Sequence, residues 1–259
     1  MITDKEMEKI EQMEYKYLEK FYHFLKYVED EMLFGFNTKE KIKEDWIEKY
    51  ASGISSFAVG AERIVYSLFN GKGIGQPNSA PVGSDMFFET EDAFIHIDLK
   101  TVQTRNIGDY TGSIFVGRNQ NSYTGKMLVN GTKLRDYKSA LPHFYKNRGN
   151  KKICLTYFIT ILYEEKNLKI LNINIICMPN GALSPHYGQR VLQAGKNPDK
   201  TRFRFSEVPK FEKLSGDKKR IKVVYYDEST LSEAEKKKMG FIKSIYNSQN
   251  NSLPSANDQ

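Results

Sequence analysis

The stretch 82-VGSDMFFETEDAFIHIDLKTVQ-103 carries two short apolar runs around an acidic turn. Residues 85–89 and 93–102 read as two strands paired across Glu89–Asp92. Asp98 and Lys100 interrupt the second run, although strands normally exclude aspartate. Residues two apart in a strand share a face. Phe94, His96, Asp98 and Lys100 therefore lie on one face, while Ile95, Ile97 and Leu99 point to the other, where a helix is expected. Pairing brings Asp85 towards Asp98. Two carboxylates that close repel unless a cation sits between them. A hard divalent ion such as Mg²⁺ suits such a site and keeps part of its water shell. Lys100 beside it would orient or deprotonate a water. The same residues also fit an edge strand whose charges deter aggregation, and this stretch alone leaves both readings open.

Acid-x-Lys also occurs at Glu14/Lys16, Asp136/Lys138, Glu164/Lys166, Asp217/Lys219 and Glu235/Lys237, mostly on helical faces or in turns. Only Asp98/Lys100 lies inside a long β-type run. A third carboxylate, Glu62, reads either as the partner of a core-edge Lys or Arg or as a further acidic ligand, direct or through water, facing the pair. Glu62 sits on a helical pattern with Ala58, Val59, Val65 and Tyr66 at i±3 and i±4, a stripe where an unpaired carboxylate is costly.

The chain has 259 residues, 39% of them hydrophobic, with 16 Tyr and 16 Phe, which is enough to bury a core. A net charge of +7 and a pI near 9.1 favour a polyanionic partner. Cys154 and Cys177 each lie in an apolar run and form no CxxC pair, so buried thiols in a reducing, cytoplasmic compartment are expected. No signal-peptide core or run of about 20 apolar residues appears, so no membrane partner is expected.

Thr3 and Glu6 form a capping-box signature. The apolar period from Met7 to Met32 predicts one long helix ending near Gly35. A second helix carries Ile42, Trp46 and Ile47, and a third runs from about Ile54 to Phe69. Strands follow at 85–89, 93–102, 113–116, 152–163, 168–178, 201–206 and 221–225, with a helix between Gly125 and Ala140 and a closing helix from Thr230 or Ser232. This order gives an α+β chain: a mixed β-sheet with an antiparallel meander flanked by helices.

A helix with Glu62, then Asp85, then Asp98-Leu99-Lys100 on the next strand resembles the PD-(D/E)xK nucleases, and among them the type II restriction endonucleases. Ser84 stands where the motif has proline, and Asp98 where glutamate is commoner. The resemblance implies a restriction-endonuclease-like core in which Asp85, Asp98 and the Leu99 carbonyl hold Mg²⁺. It implies that Lys100 serves the attacking water, that Glu62 supports the metal site, and that products carry 5′ phosphates. It also implies double-stranded DNA as substrate, a homodimer, and a cognate DNA methyltransferase protecting the same site. The long N-terminal helix is a candidate dimer element or, equally, a core-packing one. One nuclease domain is expected over residues 1–246, divided into a helical part (1–70), the catalytic sheet (71–180) and DNA-contacting strands with a helix (181–246). Residues 247–259 are expected to be a disordered tail.

Other chemistries find little support. His23, His96, His143 and His186 have no zinc spacing, and His96 reads as a half-exposed strand residue. GKGIGQ at 71–76 lacks the ending of a phosphate loop. Arg118, Asn119, Gln120 and Asn121 are side-chain types suited to base edges. Arg190, Arg202 and Arg204 lie in a basic segment with interleaved aromatics that suits phosphate contact. Three readings follow: a Mg²⁺-dependent restriction endonuclease, a repair or junction-resolving nuclease on the same core, and a non-catalytic DNA-binding protein.

Overall fold

The computed structural model describes residues 3–46, 57–71, 77–78, 85–147, 149–182, 191–195, 200–205 and 218–251. Helix α1 spans Asp4–Tyr27, and its capping box is complete: Thr3 Oγ1 accepts from the Glu6 N–H and Glu6 accepts from the Thr3 N–H. Ile10, Tyr17, Leu18, Phe21 and Leu25 form its buried stripe. The expected single helix breaks at Val28, and α2 covers Glu29–Trp46. The apolar period runs on through the break, since Val28, Met32 and Phe36 are all buried; periodicity alone therefore hides it. Gly35 does not end a helix. A Cβ there would stand 3.0 Å from Ile64 Cγ2, so glycine permits the close approach of α2 to α3, Phe57–Gly71.

The strands are β1 (Pro77–Asn78), β2 (Met86–Glu89) and β3 (Ala93–Gln103), followed by helix α4 (Ile107–Gly112) and strand β4 (Ile114–Gly117). Next come β5 (Tyr123–Val129), β6 (Lys133–Lys138), β7 (Phe144–Asn147), β8 (Asn150–Tyr163) and β9 (Ile170–Met178). The chain continues with β10 (Gly181–Ala182), β11 (Leu192–Ala194), β12 (Lys200–Phe203) and β13 (Ile221–Tyr226), then helices α5 (Glu233–Lys238) and α6 (Gly240–Asn251). Ser232 caps α5 with a second capping box. Helix α6 runs to Asn251, so residues 247–251 are helical rather than part of a tail; residues 252–259 lie outside the described ones.

Two sheets form instead of one. The first has the order β1-β2-β3-β8-β9-β13, with β7 also on β8. The second has the order β10-β5-β11-β12-β4, with β6 on β5. The helix expected between Gly125 and Ala140 is the β5–β6 hairpin. Asn130 and Gly131 take φ of 51° and 74°, and the Thr132 N–H donates to the Val129 carbonyl. Val129 stands opposite Lys133, so the loop has three residues; Asn-Gly with both φ positive is a strong hairpin-turn signal, and here it wins over the weak helical pattern around it.

β2 and β3 pair antiparallel as expected, with Met86 opposite Ile97. β3 and β8, in contrast, run parallel, from Ala93 opposite Ile153 to Gln103 opposite Tyr163. Central parallel strands are covered on both faces and read as nearly continuous apolar runs, which explains ICLTYFITILY in β8. Ile95, Ile97 and Leu99 of β3, with Leu155, Tyr157, Ile159 and Ile161 of β8, pack against α1 and α3. Phe158 and Leu162 face a second core containing α4, α6 and the second sheet. Both cysteines are free and buried. Among the described residues no helix is long and apolar enough to cross a membrane.

A buried ion pair fixes α1 to the edge of the first sheet. Glu14 and Arg220, both fully buried, meet at 2.8 Å. The Asn180 N–H donates to Glu14 Oε1 at 2.8 Å, and Tyr157 Oη donates to the Glu14 carbonyl at 2.7 Å. Glu14→Gln would leave the guanidinium buried without its counter-charge, at an expected loss of about 3–5 kcal/mol. Urea denaturation should show a lower midpoint at unchanged slope. Asp136→Ala, which breaks an exposed pair with Lys126, should change stability by no more than about 0.5 kcal/mol.

Candidate active site

The β2–β3 hairpin carries Asp85 at the mouth of β2 and Asp98 in β3. Because Met86 sits opposite Ile97, the register places Asp85 level with Asp98. The backbone N–H of Leu99 donates to Asp85 Oδ2 at 2.7 Å, which ties the first carboxylate to the second one's strand. Asp85 is exposed and Asp98 is 2% exposed. Lys100 Nζ donates to Asp98 Oδ1 at 3.4 Å, while Asp98 Oδ2 is buried without a hydrogen-bond partner. Burial pushes the Asp98 carboxyl up to about 8; Lys100 works against that shift and Asp85 adds to it.

The burial has a visible source. Phe87, Phe94, His96 and Tyr145 form an aromatic cluster at the turn end of this face of β3. His96 is fully buried, against the expectation of a half-exposed residue, and shares a hydrogen bond of 3.1 Å with Tyr145 Oη. Burial lowers its pKa to about 4, so it is a neutral packing residue. Lys100 keeps 26% of its side chain exposed and sets its Nζ 5.4 Å from the centre of the Phe158 ring on neighbouring β8.

Glu62 is half-buried on α3, next to buried Ala61 and Val65. The inward stripe of α3 is Ala61, Val65 and Phe69, so Glu62 flanks it and does not point along it. Among the described residues, no three His, Cys, Asp or Glu side chains gather closely enough to hold a metal. Asp85 and Asp98 therefore stand as a pair.

The turn after β4 comes back to the lysine. Arg118–Gln120 form one 3₁₀ turn, and Gln120 Oε1 accepts from the Gly117 N–H at 2.9 Å and from Lys100 Nζ at 3.4 Å. Residue type alone points Gln120 to base contact. Its proximity to Lys100, 20 positions away in sequence, has no local signal.

A model of the type II restriction enzyme MwoI N-terminal domain matches residues 6–167, and a model of the central domain of the same enzyme matches residues 170–226. The chain belongs to the MwoI family of type II restriction enzymes. Comparison with curated proteins finds no match. The fold is similar to that of restriction endonuclease BglI bound to its DNA recognition sequence, with a TM-score of 0.66 at 16% identity over 85% of this chain and 92% of that one. Tetrameric restriction endonuclease SfiI bound to cognate DNA gives a TM-score of 0.63 at 13% identity, over 86% and 87%. The family decides among the three readings: this is a site-specific deoxyribonuclease that binds and cleaves DNA.

The residues of this restriction enzyme chosen as DNA contacts fall into distinct settings. Arg118 and Asn119 are exposed at the tip of the turn; Arg118 Nε donates to the Lys138 carbonyl at 3.1 Å. Asn121 is fully buried. Its Nδ2 donates to the Gly117 carbonyl and to Tyr137 Oη, and its Oδ1 accepts from the Tyr123 N–H. A side chain so placed braces the turn and offers nothing to a base edge. Arg202 makes a two-pronged contact with Asp109, at 2.6 and 3.3 Å, and stacks 4.0 Å above the Phe115 ring. Arg204 is half-buried beside β12, and Arg190 lies outside the described residues.

Asn121→Ala should destabilise the fold by about 1–3 kcal/mol, the range for leaving buried partners unsatisfied. Asn119→Ala should leave the unfolding midpoint unchanged. Equal midpoints for the two variants in urea would refute the bracing role.

Proposed function

We propose that this restriction enzyme hydrolyses double-stranded DNA with Mg²⁺ held by Asp85, Asp98 and the Leu99 carbonyl. The observation that carries the reading is the Asp98 carboxylate, buried beside a second carboxylate with Oδ2 unpartnered. A buried, unpaired carboxylate oxygen is costly, and a hard cation with oxygen ligands is the group that offsets it. One or two carboxylates suffice for Mg²⁺, which retains several waters. When bound, the ion stabilises charge building on the phosphate oxygens.

The chain's own residues do the rest. Lys100, held beside Asp98, orients the attacking water towards phosphorus. The water oxygen bonds to phosphorus and gives up a proton to solvent, the P–O3′ bond breaks, and the leaving oxygen takes a proton from solvent, giving 5′-phosphate and 3′-hydroxyl ends. Glu62 supports the site through water. Arg118 and Asn119 contact base edges from the exposed tip, and Arg190 and Arg204 serve the DNA backbone, since Arg202 is already paired with Asp109. The enzyme works in the cytoplasm as a homodimer whose two sites cut both strands of a symmetric target. A cognate DNA methyltransferase protects that target.

Plasmid digestion with Mg²⁺ against a chelator control tests the reading: discrete bands are expected only with metal. Asp85→Ala and Asp98→Ala should both abolish cleavage, because each removes a ligand. Lys100→Ala should slow it about 10²–10⁴-fold while DNA binding in a divalent ion persists. Glu62→Ala should be milder, and Asp136→Ala with Lys138→Ala should cut normally. Robust Mg²⁺-dependent cleavage by Asp98→Ala would sink the assignment.

Readout of sequence has its own test. Asn119→Ala or Arg118→Ala should cost roughly 1–3 kcal/mol of discrimination, seen as cleavage at additional sites with non-specific binding intact. An unchanged band pattern at unchanged rate would move base readout elsewhere.

A further inference from the structure

Gln120 stands at a junction that the proposed chemistry leaves unused. Its Oε1 accepts from two donors at once, the Gly117 N–H at 2.9 Å and Lys100 Nζ at 3.4 Å. Lysine is a flexible stem ending in three rotatable donors, with no acceptor. Asp98 takes one donor and Gln120 takes another, while the Phe158 ring lies 5.4 Å from the same nitrogen. One N–H is left for a water.

The holder is itself held. Asn121 Nδ2 donates to the Gly117 carbonyl at 3.0 Å, and the Ala140 N–H donates to the Arg118 carbonyl at 2.7 Å. Glycine at 117 is required by proximity and not by its backbone angle, since its φ is −71°. A Cβ there would stand 2.7 Å from Asn119 Oδ1 and 3.3 Å from Gln120 Oε1.

We propose that Gln120 is a positioning residue for Lys100, linking the turn that presents Arg118 and Asn119 to the amine that orients the attacking water. The inference rests on the role proposed above for Lys100. It assigns Gln120 to the reaction and not to base readout. A shift of the exposed tip on DNA is passed to the lysine through one side chain.

The test uses the full chain, Mg²⁺ and a DNA fragment carrying a cleavage site mapped with the wild-type enzyme. Gln120→Met keeps the length but loses the acceptor; Gln120→Glu keeps an acceptor at the same position. With DNA prebound, single-turnover cleavage by Gln120→Met should be about 10–100-fold slower, the scale for residues that orient a site. Affinity measured in Ca²⁺ and the band pattern should not change. Gln120→Glu should cut at near wild-type rate, and Gly117→Ala should slow the same step. Adding Gln120→Met to Lys100→Met should cause no further loss. A wild-type rate for Gln120→Met, equal slowing by Gln120→Glu, or altered bands at an unchanged rate would each overturn the inference. Lys100→Met alone separates the two levels. If it cuts normally, the lysine's proposed role falls and this inference with it; if it is inactive while Gln120→Met is fully active, only the role of Gln120 falls.

Discussion

The parallel pairing of β3 with β8 is the constraint on which the rest depends. It extends over all 11 residues of β3 and leaves neither face of that strand bare. One face is sealed by α1 and α3, and the other begins in an aromatic cluster and ends at the lysine. An aspartate in such a strand is desolvated by construction, which is why burial dominates the shift of Asp98. The burial of Asp98 therefore follows from where the strand lies in the sheet. On an edge strand the same aspartate would be an ordinary solvated carboxylate.

Parallel strands cannot be joined by a tight turn; they need a long crossover. Here the crossover between Gln103 and Asn150 contains α4, β4, the β5–β6 hairpin and β7, and so much of the second sheet. The connection required by the backbone geometry thereby becomes the site of a second structure. Its first strand ends in the turn at residues 118–120, and that turn meets Lys100 through Gln120. The 118–120 turn and the β2–β3 hairpin are neighbours because one is inserted into the connection that the other's parallel pairing requires.

Charge is distributed unevenly over this frame. The Glu14–Arg220 pair is wholly buried and locks the N-terminal helix to the sheet. Arg202 is held by Asp109 and Phe115, so a basic stretch in sequence is partly a stabilising contact between the second sheet and α4. Exposed pairs such as Lys126–Asp136 contribute little. The net charge of +7 thus sets a tendency to bind polyanions and leaves the position of the interface to the fold.

The sequence by itself determined the β2–β3 hairpin, the shared face of Asp98 and Lys100, and the approach of Asp85, because strand alternation and a short turn are local. Both capping boxes were legible for the same reason; at Asn130-Gly131 a helix was expected and a hairpin forms. The break at Val28 was not, because apolar spacing continues through it. Only the tertiary structure decided that β3 lies inside a sheet beside β8, that β4–β6 and β10–β12 build a second sheet, and that His96 and Asn121 are buried. It alone brought Gln120 to Lys100. Those outcomes join segments far apart in the chain, where the energy lies in packing two distant surfaces and no residue period records the partner.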